Sequence, residues 1–297
     1  MELRTQRIEL STGIGLNVCL GGEGEPVIFL HGFPESHRTW RHQLADLSRD
    51  HFVVAPDQRG FAASDKPRGV DAYQTDKIVA DLMALAHALD IKHFTRVGHD
   101  WGGAVAWLAA LTPPLRVKRL VIVNAPHPLI FQKSMIEHEE QRAASQYIRA
   151  LRRPMVHMGI RAMGLEKFFD KIIARHADTS RLTPQDRRHY IDDWSRPGTL
   201  KAMTNWYKAS RIEVPKVGEK AKAPLWTHAP FPSLAMPVLV IWGMKDTALL
   251  PVQLEGLDKL VDDLRIVPVP DASHFVTWER PEAVTAAIRG FLAETDG

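Results

Sequence analysis

The sequence contains one cysteine, Cys19, in the strand-like stretch LNVCL. A lone thiol excludes an internal disulfide framework and any multi-cysteine metal site, and its apolar neighbours predict a buried, inert side chain. No run of 18 apolar residues occurs and the opening MELRTQRIEL lacks the apolar centre of a secretory signal, so no membrane interaction and a cytoplasmic location are expected. Charge of one sign is scarce as well. The 38 Lys and Arg are nearly balanced by 35 Asp and Glu, a net charge of +3 that leaves no nucleic-acid footprint. His138, Glu139 and Glu140 are adjacent and lack the His-Glu-x-x-His spacing, so no metal site is expected there. Gly21, Gly22 and Gly24 lie between two strand-like stretches, not between a strand and a helix. They read as turn residues, and no phosphate cradle or nucleotide cofactor is expected.

What is present suits a large α/β protein: 297 residues, 45% of them hydrophobic. RIEL, LNVCL and PVIFL read as three strands of an antiparallel meander. After Leu30 strands alternate with helices: WRHQLADL then FVVAP, DKIVADLMALAHAL then FTRVG, GAVAWLAAL then RLVIVN. Such alternation specifies a mostly parallel sheet with helices on both faces. It stops at Asn124 and resumes at MPVLVIWG, LRIVPVP and PEAVTAAIRGFLAE. The interval reads as helices, among them KSMIEHEEQRAASQYIRALR, TPQDRRHYIDDW and GTLKAMTNWYKASR. Residues 1–124 and 233–297 are therefore expected to form a core domain, and 125–232 an inserted helical cap over the strand ends. The stretch from Ala125 to Pro230 is basic, with 19 Lys and Arg against 11 Asp and Glu. Its IRALRRPMVHMGIRAM segment reads as a solvated helix face.

Chemistry concentrates in three loops. Gly98-His99-Asp100-Trp101-Gly102 has the frame Gly-x-nucleophile-x-Gly at a strand-to-helix junction, where a tight turn pushes the central side chain above the sheet. Asp100 is then the nucleophile. Asp246 follows the strand of VIWGMKD and His274 the strand of VPVPDASH, so nucleophile, acid and base occur in the chain order of an α/β-hydrolase triad. His31, Gly32, Phe33 and Pro34 follow the strand ending at Leu30, where this fold takes one N–H of an oxyanion hole; Phe33 and Trp101 are the expected donors.

Four stretches, HGFPES, PDQRGFAASDKP, GHDWGG and NAPHP, together resemble the epoxide hydrolases of the α/β-hydrolase superfamily over nearly the whole chain. The resemblance implies an eight-stranded sheet with an inserted cap. It also implies conversion of a small hydrophobic epoxide and water to a vicinal diol through an ester on Asp100, without a cofactor. His274, oriented by Asp246, would activate the water that cleaves the ester. Family members place two cap tyrosines over the epoxide oxygen. Of the four tyrosines here, Tyr207, in the NWY segment, and Tyr147, placed by its distance from NAPHP and Pro154, match those donors. Tyr190 is the fallback, and Tyr73 reads as structural. Phe33, Trp101, Trp206, Phe131 and Phe275 are expected pocket walls, in a monomer or a homodimer.

The same Asp100 and His274 would serve a haloalkane dehalogenase, but Phe33 and Pro34 after His31-Gly32 resemble the epoxide branch. Haloacetate dehalogenases place Arg where this chain has Trp101 and Ala104, and an acid where it has Asn124, an amide unable to serve. A non-catalytic ligand-binding module of the same fold would need no acid, base and nucleophile in register.

Overall fold

A computed structural model describes residues 2–111 and 117–294. The strands are β1 (Arg4–Glu9), β2 (Gly15–Gly21), β3 (Glu25–Leu30), β4 (His51–Pro56), β5 (Phe94–His99), β6 (Val117–Val123), β7 (Val238–Gly243) and β8 (Leu264–Val269). They form one sheet in the order β1-β2-β4-β3-β5-β6-β7-β8. β1 pairs antiparallel with β2, and β2 antiparallel with β4; every later pairing is parallel.

The meander expected at the start of the chain ends after its first hairpin. β3 lies beside β4 and β5 instead of β2, because the Gly22–Gly24 segment crosses the first residues of β4. A Cβ on Gly22, whose φ is +78°, would stand 2.1 Å from the His51 carbonyl oxygen. Only a glycine fits so close an approach, so this cluster serves a crossing, not a turn back.

Helices α1 (Arg41–Leu47), α2 (Thr75–Ala88), α3 (Trp101–Ala110) and α12 (Pro281–Glu294) flank the sheet. Leu44 and Leu47 of α1 share a buried cluster on one face with Val284, Ile288 and Phe291 of α12. Leu82 and Leu85 of α2 join Val105 and Trp107 of α3 in a second cluster, on the other face. β5 and β7 are buried at all six positions, as strands covered on both faces must be.

Between β6 and β7 the described elements are helical: α4 (Pro128–Glu137), α5 (Glu139–Ala144), α6 (Gln146–Leu151), α7 (Val156–Met163), α8 (Leu165–Phe169), α9 (Pro184–Ser195) and α10 (Thr199–Ala209). A four-residue helix, α11 (Val276–Glu279), precedes α12. The helical stretch from Lys133 to Arg152 is divided among α4, α5 and α6. His138 leaves the helical conformation with ψ 106°, and the Arg142 guanidinium caps the carbonyls so freed, donating to Met135 O at 2.6 Å and to Ile136 O. A long arginine reaching back supplies the partners that a helix end lacks. Among the described residues no helix is long and apolar enough to cross a membrane. Cys19 is buried on β2.

Candidate active site

The turn from β5 to α3 places Asp100 at φ +50° and ψ −120°, a conformation that a residue with a side chain rarely adopts. Its surroundings enforce it. A Cβ on Gly98 would lie 2.5 Å from the Gly102 carbonyl oxygen, and one on Gly102 would lie 2.1 Å from that of Leu30. The two glycines let β3, β5 and α3 close on one another, and the only way out for the intervening side chain is upward.

Asp100 meets two groups there. Its Oδ1 accepts a hydrogen bond from the Phe33 N–H at 2.7 Å, and its Oδ2 lies 3.7 Å from His274 Nε2. His274 Nδ1 is 2.8 Å from Asp246 Oδ2. Asp246 is itself held by the N–H groups of Ala248 at 2.8 Å and Leu249 at 2.9 Å, both on Oδ1. The three residues come from the ends of β5, β7 and β8, the carboxyl edge of the parallel sheet where such sheets bind ligands. Trp101 is the first residue of α3, so its N–H belongs to the free N-terminal turn of that helix beside Asp100.

A cavity of about 740 Å³ opens on Asp100, lined by Trp101, Phe131, Tyr147, Tyr207 and Leu249 among others. The two tyrosine rings stand 6.1 Å apart, and that of Tyr207 packs edge-on to Phe33 at 5.0 Å and to Trp101 at 5.2 Å. Burial and then the Asp100 and Asp246 charges push the Tyr147 phenol well above its ordinary pKa; burial, Tyr147 and Asp100 do the same to Tyr207. Both keep their protons and can donate them.

Other expected wall residues lie elsewhere. Trp206 is 1% exposed, its Nε1 donates to Arg59 O at 3.0 Å, and its ring sits between Phe61 and Trp101. Phe275 stacks on Trp278 at 5.6 Å beneath His274. Neither lines the cavity, and Phe33 contributes its N–H and the back of Tyr207. Tyr190 donates to Glu35 Oε1 at 2.7 Å and Tyr73 to Pro67 O at 2.8 Å, which engages both away from the cavity.

An α/β-hydrolase fold family model matches residues 25–281. The chain belongs to the α/β-hydrolase superfamily. It is 46% identical to a solved structure described among novel epoxide hydrolases of that superfamily in metagenomes from hot environments, with a TM-score of 0.91 over 98% of this chain and 99% of that one. The AB hydrolase superfamily protein YfhM of Bacillus subtilis is 32% identical over 95% of this chain and 96% of its own. A point mutant of a Bacillus megaterium epoxide hydrolase, solved with its product (R)-3-[1]naphthyloxy-propane-1,2-diol, is 27% identical, with a TM-score of 0.85 over 97% of this chain and 100% of that one.

In this hydrolase three supporting residues escape sequence reasoning. Asn124, read only as an amide unable to act as an acid, holds Asp246 in place: its Nδ2 donates to Asp246 Oδ2 at 2.8 Å and its Oδ1 accepts from the Gly243 N–H at 2.7 Å. Glu35 and His99 form a buried pair behind His274. Glu35 Oε2 lies 3.3 Å from His99 Nδ1, Glu35 Oε1 accepts from Trp278 Nε1 at 3.1 Å, and His99 Nε2 meets the His274 carbonyl at 2.8 Å. Both stood inside quoted motifs, HGFPES and GHDWGG, yet their meeting depends on packing between the segments that follow β3 and end β5.

These charges set the proton affinity of the hydrolase's histidine. Burial works against a charge on His274, but Asp246, Asp100 and Glu35 outweigh it and hold the pKa at about 9. Burial likewise opposes the charge on Asp246, and His274, Leu249 and Asn124 overcome it, keeping that carboxyl below its ordinary value. Among the described residues no group of three or more His, Cys, Asp and Glu is placed to hold a metal ion.

Proposed function

We propose that this hydrolase opens epoxides to vicinal diols by way of an ester on Asp100. The observation that carries the reading is a carboxylate at the turn after β5, facing the same cavity as two proton-bearing tyrosines. A serine there would attack an acyl carbonyl. A carboxylate displaces at a saturated carbon and becomes the acyl part of the ester itself. The 46% identity to a structure described among epoxide hydrolases supports the same reading.

With Oδ1 held by the Phe33 N–H, Asp100 Oδ2 attacks a ring carbon. The carbon–oxygen bond breaks, and Tyr207 or Tyr147 gives its proton to the departing alkoxide. Esterification removes the Asp100 charge, one of those that keep the imidazole protonated, so the His274 pKa falls as the ester forms. The His274 proton returns to the tyrosinate. Neutral His274 then takes a proton from water, whose oxygen attacks the Asp100 carboxyl carbon while the Phe33 and Trp101 N–H groups hold the oxyanion. The carboxyl–oxygen bond breaks, the proton passes from His274 to the diol oxygen, and the water's second proton, left on the Asp100 carboxyl, moves to His274, which restores the carboxylate and the protonated imidazole. Residues 125–232 form the cap that carries the two tyrosines, and water is the only cosubstrate.

A single turnover in ¹⁸O-water tests this: the first diol carries unlabelled oxygen from Asp100, and later diols carry label. Solvent oxygen in the first diol would remove the ester from the mechanism. Asp100→Ala forms no diol, and His274→Gln accumulates protein heavier by one substrate mass. The same preparation assayed with 1-bromobutane separates epoxide opening from dehalogenation.

A further inference from the structure

The cavity is much longer than the reaction needs. Trp101, Ala104, Leu108 and Leu111 line it together, and their spacing of three, four and three residues places them on one face of α3. From Trp101 to Leu111 that face extends about 15 Å at 1.5 Å per residue, the reach of an extended alkyl chain of roughly a dozen carbons. Val79, Phe131, Ile212 and Phe231 line the same space. The charged lining residues besides Asp100 are Asp76 and Arg211, both exposed to solvent, and the polar Gln74, Thr75 and Ser210, which adjoin them in sequence, are half-buried on the same rim. The walls away from that rim are apolar, and the volume of about 740 Å³ is of the size that holds a whole drug-sized ligand.

We infer that the preferred substrates are epoxides bearing a long unbranched apolar substituent, which lies along the outer face of α3 while the ring meets Asp100. The inference rests on the epoxide reading above and narrows its substrate class. An apolar chain fits because each methylene buried against Ala104, Leu108 or Leu111 leaves water for a hydrocarbon wall, and nothing there would pair with a charged or strongly polar group.

Competition between 1,2-epoxybutane and 1,2-epoxydecane in one reaction, with both diols measured at low conversion, reads kcat/KM for the pair directly. Full burial of a methylene corresponds to about a fourfold gain, and partial burial of six predicts that the ten-carbon epoxide is favoured at least tenfold. Leu108→Trp and Leu111→Trp, made separately, each fill the groove at a different depth. Each lowers the long-to-short ratio by at least tenfold relative to the unaltered protein. The ratio is internal to one sample, so loss of folded protein does not alter it. A ratio near one in the unaltered protein, with both diols formed, overturns the inference and leaves the epoxide reading standing, as does a ratio that neither substitution moves. Absence of both diols overturns the epoxide reading itself.

Discussion

Asp100 occupies backbone space that costs a side-chain-bearing residue of the order of 1–3 kcal/mol, sustained by packing around Gly98 and Gly102. Asp100→Gly is expected to relieve that strain, raising the unfolding free energy by about 1 kcal/mol in denaturant titration while abolishing diol formation. Tyr207→Phe removes a proposed proton donor without changing the ring contacts with Phe33 and Trp101. Ring opening in a pre-steady-state assay should slow by roughly 10²-fold, and further when Tyr147→Phe is combined with it. Glu35 acts at one remove. Its charge helps to raise the His274 pKa, so Glu35→Gln, which keeps an acceptor for Tyr190 and Trp278, should lower it. The pH dependence of ester hydrolysis then moves to lower pH; an unmoved profile would mean that Glu35 only packs.

At the scale of elements, the start of α4 is closed by a histidine. His127 Nδ1 accepts from the Leu129 N–H at 3.3 Å, and burial lowers its pKa to about 4. A cap that accepts must be unprotonated. The folded state therefore binds fewer protons than the unfolded chain between about pH 6.5 and 4, and stability present above that window is lost as pH falls through it. The contribution is of order 3 kcal/mol. His127→Asn keeps a capping oxygen and should flatten the acid side of the stability curve, measured by thermal unfolding from pH 7 to 4. On the alkaline side, the raised pKa of His274 gives stability that is complete below its unfolded value near 6.5 and lost as pH rises through about 9.

In the molecule as a whole, indole N–H groups tie the helical insertion to the sheet. Trp194 Nε1 donates to Pro34 O at 2.7 Å and Trp206 Nε1 to Arg59 O at 3.0 Å. Each joins a helix of the insertion to a loop that follows a strand next to the site. Trp194→Phe leaves a carbonyl without its donor in a buried place and should cost about 1–3 kcal/mol. Because Pro34 adjoins Phe33, KM for epoxide should change with it, whereas a surface substitution such as Arg188→Gln should change neither. Much of this architecture was legible beforehand. The alternation of apolar strands with amphipathic helices announced the parallel sheet, and its interruption after Asn124 announced the insertion. The antiparallel start was misread because a glycine cluster that crosses a strand looks, in one dimension, like a glycine cluster that turns back.

The sequence alone determined that a carboxylate stands at the turn after β5, because Gly-x-Asp-x-Gly at a strand end, followed by an aspartate and a histidine after two later strands, is a set of local patterns each readable within its own segment. Tertiary structure decided which tyrosines share a cavity with Asp100, that Asn124 holds Asp246 and that Glu35 meets His99. The physical reason is distance along the chain: Glu35 and His99, or Tyr147 and Tyr207, are brought together by sheet order and helix packing, and no periodicity within either segment carries that information.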